Sequence, residues 1–190
     1  MAAVLTFLVL VALVGVFFVA VYNKLVRMRN RAESAWAQID VELKRRYDLV
    51  PNLVAAVKGY AKHEHDTLDE VVEARSHAVG AKTVGEQSSA DSVLSAALGR
   101  LFAVAESYPE LKASDNFRTL QGELWEIEQR IATMREHYNE CVRGYDTARE
   151  TFPATVAAWF MSFEPLPYFQ ADDEAREAPH VDVAASSASA

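Results

Sequence analysis

The chain is expected to be all-α: a single N-terminal transmembrane helix continuing into an antiparallel bundle of about four long helices. Three observations predict this. Ala2 to Tyr22 contains no charged residue and is mostly Val, Leu, Ala and Phe. Beyond it, apolar residues recur at alternating spacings of three and four, the signature of a helix with one buried stripe. Only seven glycines and six prolines occur in 190 residues, so long stretches carry no helix breaker. No segment sustains two-residue alternation, and no sheet is expected.

The first element is the membrane span. Twenty-one residues at a rise of about 1.5 Å reach roughly 32 Å, close to the ~30 Å hydrocarbon core of a bilayer. A cleaved signal peptide needs basic residues before a shorter apolar core and a small-residue cleavage site after it. Here the run ends in Val21-Tyr22-Asn23-Lys24, so an uncleaved anchor is expected. Lys24, Arg27, Arg29 and Arg31 follow, with no acid before Glu33. Basic flanks stay on the cytoplasmic side during insertion, and at the surface they meet anionic headgroups. The bulk of the chain is therefore expected to face the cytoplasm.

The stripe Leu25, Met28, Ala32, Trp36, Ile39 and Leu43 extends this helix to about Tyr47. Asp48 can cap a second helix with Pro51 in its first turn. That helix carries Leu53, Val57, Tyr60, Leu68 and Val71 and runs to about Lys82. Gly80 to Gly85, with Gln87-Ser88-Ser89, reads as a loop. A third helix carries Val93, Ala97, Leu98, Leu101, Phe102 and Val104 and ends before Pro109. Ser114 then caps the longest helix. Its seam of Phe117, Leu120, Leu124, Ile127, Ile131, Met134, Tyr138, Cys141, Tyr145 and Ala148 is an unbroken heptad pattern. Intramolecular packing and a homo-oligomeric coiled coil need the same seam, so both stay open.

Phe152, Trp159, Phe160, Phe163, Tyr168 and Phe169 crowd the next segment. If helices alternate in direction, this segment lies near the bilayer, where it either caps the bundle or touches the interface. From Gln170 the chain turns acidic and ends in Ala and Ser, a disorder-prone composition. The expected division is an anchor over 1–23, a bundle over 24–169 and a disordered tail over 170–190.

Chemistry is sparse. The net charge of −8 argues against a nucleic-acid surface. The single cysteine, Cys141, excludes an intrachain disulfide and sits in the heptad seam, where a buried, unreactive thiol is expected. His63-Glu64-His65-Asp66 is the best metal candidate. A zinc protease helix needs histidines four apart, and position 67 is Thr67; His63 and His65 point about 200° apart on a helix. No phosphate loop or nucleophile elbow occurs. No catalytic residue, metal site or cofactor is expected. Asp40, Lys44, Arg45, Arg46 and Asp48 form a charged cluster at the turn farthest from the membrane, which is either a solvated turn or a docking surface for an acidic partner.

Longer motifs match a known family. The first runs Tyr22-Asn23, Leu25-Val26, Arg29-Asn30, Ala35-Trp36, Ile39-Asp40-Val41 and Leu43-Lys44-Arg45-Arg46. It continues as Asp48-Leu49-Val50-Pro51-Asn52-Leu53-Val54 to Val57-Lys58-Gly59-Tyr60 and His63-Glu64. The second is Tyr108-Pro109-Glu110-Leu111-Lys112-Ala113, Asn116-Phe117, Leu120-Gln121, Glu123-Leu124, Glu128, Ile131-Ala132 and Arg135. The third is Tyr138-Asn139, Tyr145, Phe152-Pro153 and Tyr168-Phe169. In these stretches the chain resembles the LemA family of bacterial membrane-anchored helical proteins. It departs at Asp146, where Asn is expected, and at Met161-Ser162-Phe163, where the family tends to have Gly before the Phe. The resemblance implies an anchored antiparallel bundle and no defined reaction. It points to a non-enzymatic scaffold or accessory protein at the bacterial inner membrane, binding other membrane or envelope proteins. The alternative is an envelope sensor in which helix one transmits a change from span to bundle.

Overall fold

A computed structural model describes residues 1–61 and 63–169; the expected tail at 170–190 lies outside them. Among the described residues there are six helices, α1 (Ala2–Lys58), α2 (His65–Gly80), α3 (Val84–Glu106), α4 (Pro109–Lys112), α5 (Asp115–Glu150) and α6 (Ala154–Phe160), and no strand. From Leu25 onward α1 packs along α5, while α2 and α3 form a hairpin against its far part. The short α6 folds back onto both α5 and α1. The core runs from Ala32 to Val57 on α1 and meets Leu68 and Val71, Leu94, Leu98 and Leu101, and Phe117 to Val142 of α5. The α5 seam is thus buried within one chain. Phe117, Leu124, Ile127, Ile131, Tyr138 and Tyr145 are buried, while Leu120, Met134, Cys141 and Ala148 are half-buried. By contrast, residues 2–20 are exposed apart from half-buried Phe18. They form an apolar helix long enough to cross a membrane.

The first helix does not stop at Tyr47. It runs through Pro51 to Lys58, so Asp48 caps nothing. The buried stripe Leu43, Arg46, Val50, Leu53 and Val57 holds the same helical register across the proline. A proline within a helix deprives the carbonyl four residues back of its donor, at a cost of ~3 kcal/mol or more. Here that carbonyl belongs to Tyr47, and Arg75 Nε of α2 donates to it at 2.6 Å. The partner that lets α1 continue therefore comes from the next helix. Arg75→Met should cost about 1–3 kcal/mol, the usual range for orphaning a shielded polar group. Pro51→Ala supplies the missing N–H, so the same Arg75 change in that background should cost much less. Equal losses in both backgrounds, read by thermal unfolding, would refute the coupling.

The helix stops instead at Gly59, a weak helix former, and α2 begins at His65. The Val57 carbonyl accepts from both Tyr60 N–H (3.0 Å) and Ala61 N–H (2.8 Å), and Ala61 is buried. The expected loop at 80–89 shrinks to three residues. Thr83 caps α3 through a capping box: Glu86 N–H donates to Thr83 Oγ1 at 3.2 Å, while Thr83 N–H donates to Glu86 Oε2 at 3.1 Å. Lys82 N–H donates to the same oxygen at 2.9 Å. These backbone N–H groups hold the Glu86 carboxyl below the usual carboxylate range. Thr-x-x-Glu is the sequence signal for such a start. Ser114 does occupy the cap position of α5, without a side-chain hydrogen bond.

Candidate functional site

The charged cluster expected at a distal turn lies mid-way along the α1 stretch that packs in the bundle, and its members part company. Lys44, Arg45 and Asp48 are exposed and Asp40 is half-buried. Asp40 accepts from Lys44 Nζ at 2.6 Å and from Gln87 Nε2 of α3 at 3.3 Å. Arg45 and Asp48 line a groove of about 410 Å³ with Asn52, Glu123 and Arg130, between α1 and α5. Arg46 corrects the expectation of a docking surface: its side chain is 1% exposed.

Arg46 is the centre of a buried ion cluster joining three helices. It pairs with Asp91 of α3, itself 1% exposed, donates to Ser95 Oγ at 2.8 Å and pairs with Glu128 of α5 at 2.6 Å. Arg135 of α5 reaches the second oxygen of Asp91, and its guanidinium lies 4.4 Å from the centre of the Phe169 ring. One turn away, buried Glu42 accepts from Arg45 at 2.9 Å and from Arg130 at 3.2 Å. Burial among these groups pushes the Tyr47 phenol well above its ordinary range, helped by the negative charge of Asp91. The signal for burial was present in the sequence. Ile39, Leu43, Arg46, Val50 and Leu53 keep the seam spacing, as do Asp91, Leu94, Leu98 and Leu101. A charged residue in register with an apolar seam points into the core, where it needs a partner of opposite charge.

The membrane-exit end is a second assembly. Lys24, Arg27, Arg29 and Arg31 are all exposed on α1, and Arg29 pairs with Glu33 at 2.9 Å. Leu25, Tyr145 and Ala158 form a small core beside them. Tyr145 Oη donates to the Glu164 carbonyl at 2.8 Å, and Tyr138 Oη to the Pro167 carbonyl at 2.6 Å. Burial, with the charge of Asp146 beside it, pushes the Tyr138 phenol up to about 12. Asn139 is hydrogen-bonded to the backbone N–H and C=O of Phe169, both at 2.9 Å. Sequence reasoning left these tyrosines as seam residues; their hydroxyls fasten the late segment onto α5. Ser162 adopts φ 53°, a left-handed conformation costing an ordinary residue about 1–2 kcal/mol. Ser162→Gly relieves that cost but loses more backbone entropy. The net gain should be up to about 1 kcal/mol, measured by thermal unfolding.

His63 is exposed in the turn after α1, while His65 and Asp66 open α2. Glu64 accepts from Tyr108 Oη at 3.2 Å. Among the described residues, no three His, Cys, Asp or Glu side chains gather as a metal site would require. Cys141 is half-buried rather than buried, with His137 Nε2 3.8 Å from its sulfur.

The model of the LemA family matches residues 35–183, which include the late α1 stretch, the buried cluster and the whole of α5. The chain belongs to the LemA family. Among its relatives are magnetosome protein MamQ 2 of Paramagnetospirillum magneticum, 29% identical over 175 residues, and magnetosome protein MamQ of Magnetospirillum gryphiswaldense, 27% identical over 174. Each match covers 78% of this chain and 64% of the relative. The chain thus spans less than two thirds of the length of those magnetosome proteins. Protein LemA of Metamycoplasma hominis is 26% identical over 168 residues, covering 84% of this chain and 75% of the relative. In this LemA-family chain the motif residue Arg46 and the motif residues Glu128 and Arg135 meet in one cluster. Their shared role is to join helices.

Proposed function

We propose that this LemA-family protein is a membrane-anchored scaffold or accessory factor that acts by binding other membrane or envelope proteins, without a reaction of its own. The observation that carries the reading is α1, which passes without a break from an exposed apolar segment into the bundle core. An apolar helix exposed over some twenty residues needs lipid around it. The setting is the bacterial inner membrane, with the bundle in the cytoplasm. The exposed face of Lys44, Arg45 and Asp48 is the candidate partner surface, with Asp40 at its edge.

A sensor is the second reading, favoured by the same helix. α1 carries both the span and Arg46, so a displacement of the span would load a cluster shared with α3 and α5. Crosslinking in cells, followed by detergent pull-down, separates the two. A scaffold retains the same partners with and without envelope stress; a sensor retains them in one state. Orientation is tested by fusions after Ala190. A cytoplasm-active reporter should work there and alkaline phosphatase should not. Neutralising Lys24, Arg27, Arg29 and Arg31 together should weaken that preference. Phosphatase activity from the unaltered chain would overturn the orientation.

A further inference from the structure

We infer that α6 and its flanks are a second membrane contact, in which Phe152, Val156, Trp159 and Phe160 enter the bilayer interface beside the span. The inference rests on the anchor reading and adds to it a site of lipid contact. Phe152 and Trp159 are each 78% exposed, and Phe160 is 70% exposed. No charged residue stands between Glu150 and Glu164. The opposite face of the same helix is fixed: Ala157 and Ala158 are buried, and Ala158 packs with Leu25 and Tyr145. The aromatic face is therefore held outward by a packed core, and ring packing of Phe163 on Tyr22 at 5.7 Å pins the segment to α1.

Height along α1 identifies the occupant. The span reaches its aqueous boundary at Tyr22 to Lys24. Phe152, Pro153 and Ala154 line one groove of about 660 Å³ with Phe17, Val21 and Lys24. Phe17 lies about 7.5 Å along the helix axis from Tyr22, toward the lipid side. The groove also reaches Leu25 and Met28 on the aqueous side, so the start of α6 faces the stretch of α1 that crosses the bilayer boundary, the level at which an interfacial helix buries its apolar face by roughly 5–10 Å. Trp and Tyr are enriched at that level. Lys24 and Arg143, which also lines the groove, are placed to meet lipid phosphates above it. A second copy of this chain could cover the same face only within the lipid layer.

The test uses the full chain in phosphatidylcholine vesicles whose acyl chains are brominated either close to the headgroup or near their ends. Trp36→Phe with Trp125→Phe leaves Trp159 as the sole tryptophan, read with excitation that spares the tyrosines. Its emission should shift to the blue and be mostly lost with shallow bromine, and much less with deep bromine. A chain retaining only Trp125 should be unaffected by either. A third reporter, Phe7→Trp with all three native tryptophans changed to Phe, reads the span. If that reporter is quenched and Trp159 is not, α6 stays out of the bilayer and the inference fails while the anchor stands. If neither is quenched, the anchor reading fails and takes the inference with it. Blue-shifted Trp159 emission that depends on protein concentration and resists lipid bromine would assign the face to a second copy, and would also overturn the proposal.

Discussion

Asp91→Ala should destabilise the bundle by about 3–5 kcal/mol, the usual effect of removing one partner from a buried ion pair. The loss is large because of what remains. Arg46 stays 1% exposed with its main carboxylate gone, and Arg135 loses its partner at the same point. Two guanidinium groups then face each other across a space that the Asp91 carboxylate had bridged. Glu128 compensates only partly, since it is one-third exposed and shares its charge with solvent. For a domain of this size each kcal/mol shifts Tm by roughly 2–4 °C, so a fall on the order of 10 °C is expected for the detergent-solubilised chain. The exposed pair of Arg100 with Glu70, between α2 and α3, is the control. Arg100→Ala should cost less than about 1 kcal/mol, because solvent screens the pair. A triple change, Arg46→Met, Asp91→Leu and Arg135→Met, should recover much of the loss, because desolvation and not pairing dominates such clusters. Asp91→Ala melting with the unaltered chain would mean that the cluster is hydrated and does not join the helices.

What could be read from the sequence follows from which forces are local. The span, the α1 stripe and the α5 seam depend on residues three and four apart, and periodicity reveals them directly. The end of α1 depends on Arg75, 28 residues beyond the carbonyl it serves, and no local rule anticipates that donor. Asp48-x-x-Pro51 therefore looked like a helix start. The beginning of α3 was legible in Thr83 and Glu86 but was outweighed by the glycines and serines around them. Arg46 was misplaced for a different reason. In Lys44-Arg45-Arg46 all three charges look alike, and only the 3-4 spacing through Leu43 and Val50 separates the inward one. Its acids, Asp91 and Glu128, arrive from two other helices. The charge cluster was visible as residues; its division into a buried core and an exposed rim appears only once three helices are packed.

Ile131→Ala, Ile127→Ala and Glu126→Ala should form a descending series of destabilisation along one stretch of α5. Ile131 is 1% exposed and packed on all sides in the core. Its truncation loses buried apolar surface and leaves a cavity the neighbours cannot fill, at the upper part of the ~2–5 kcal/mol range. Ile127 is also buried but borders the groove that Arg45, Asp48 and Arg130 line. Water and mobile side chains can enter there, so its loss belongs at the lower end of the same range. Glu126 points outward, 66% exposed, with a loose 3.7 Å contact to Arg130. Its removal should lie within about ±0.5 kcal/mol. Thermal unfolding of the three variants in one detergent reads the order directly. Equal melting of all three would place the seam on the wrong face of α5. Dissociation of an oligomer by Ile131→Ala, with each subunit's own transition unchanged, would mean that the seam joins two chains in the membrane rather than α5 to α1 within one.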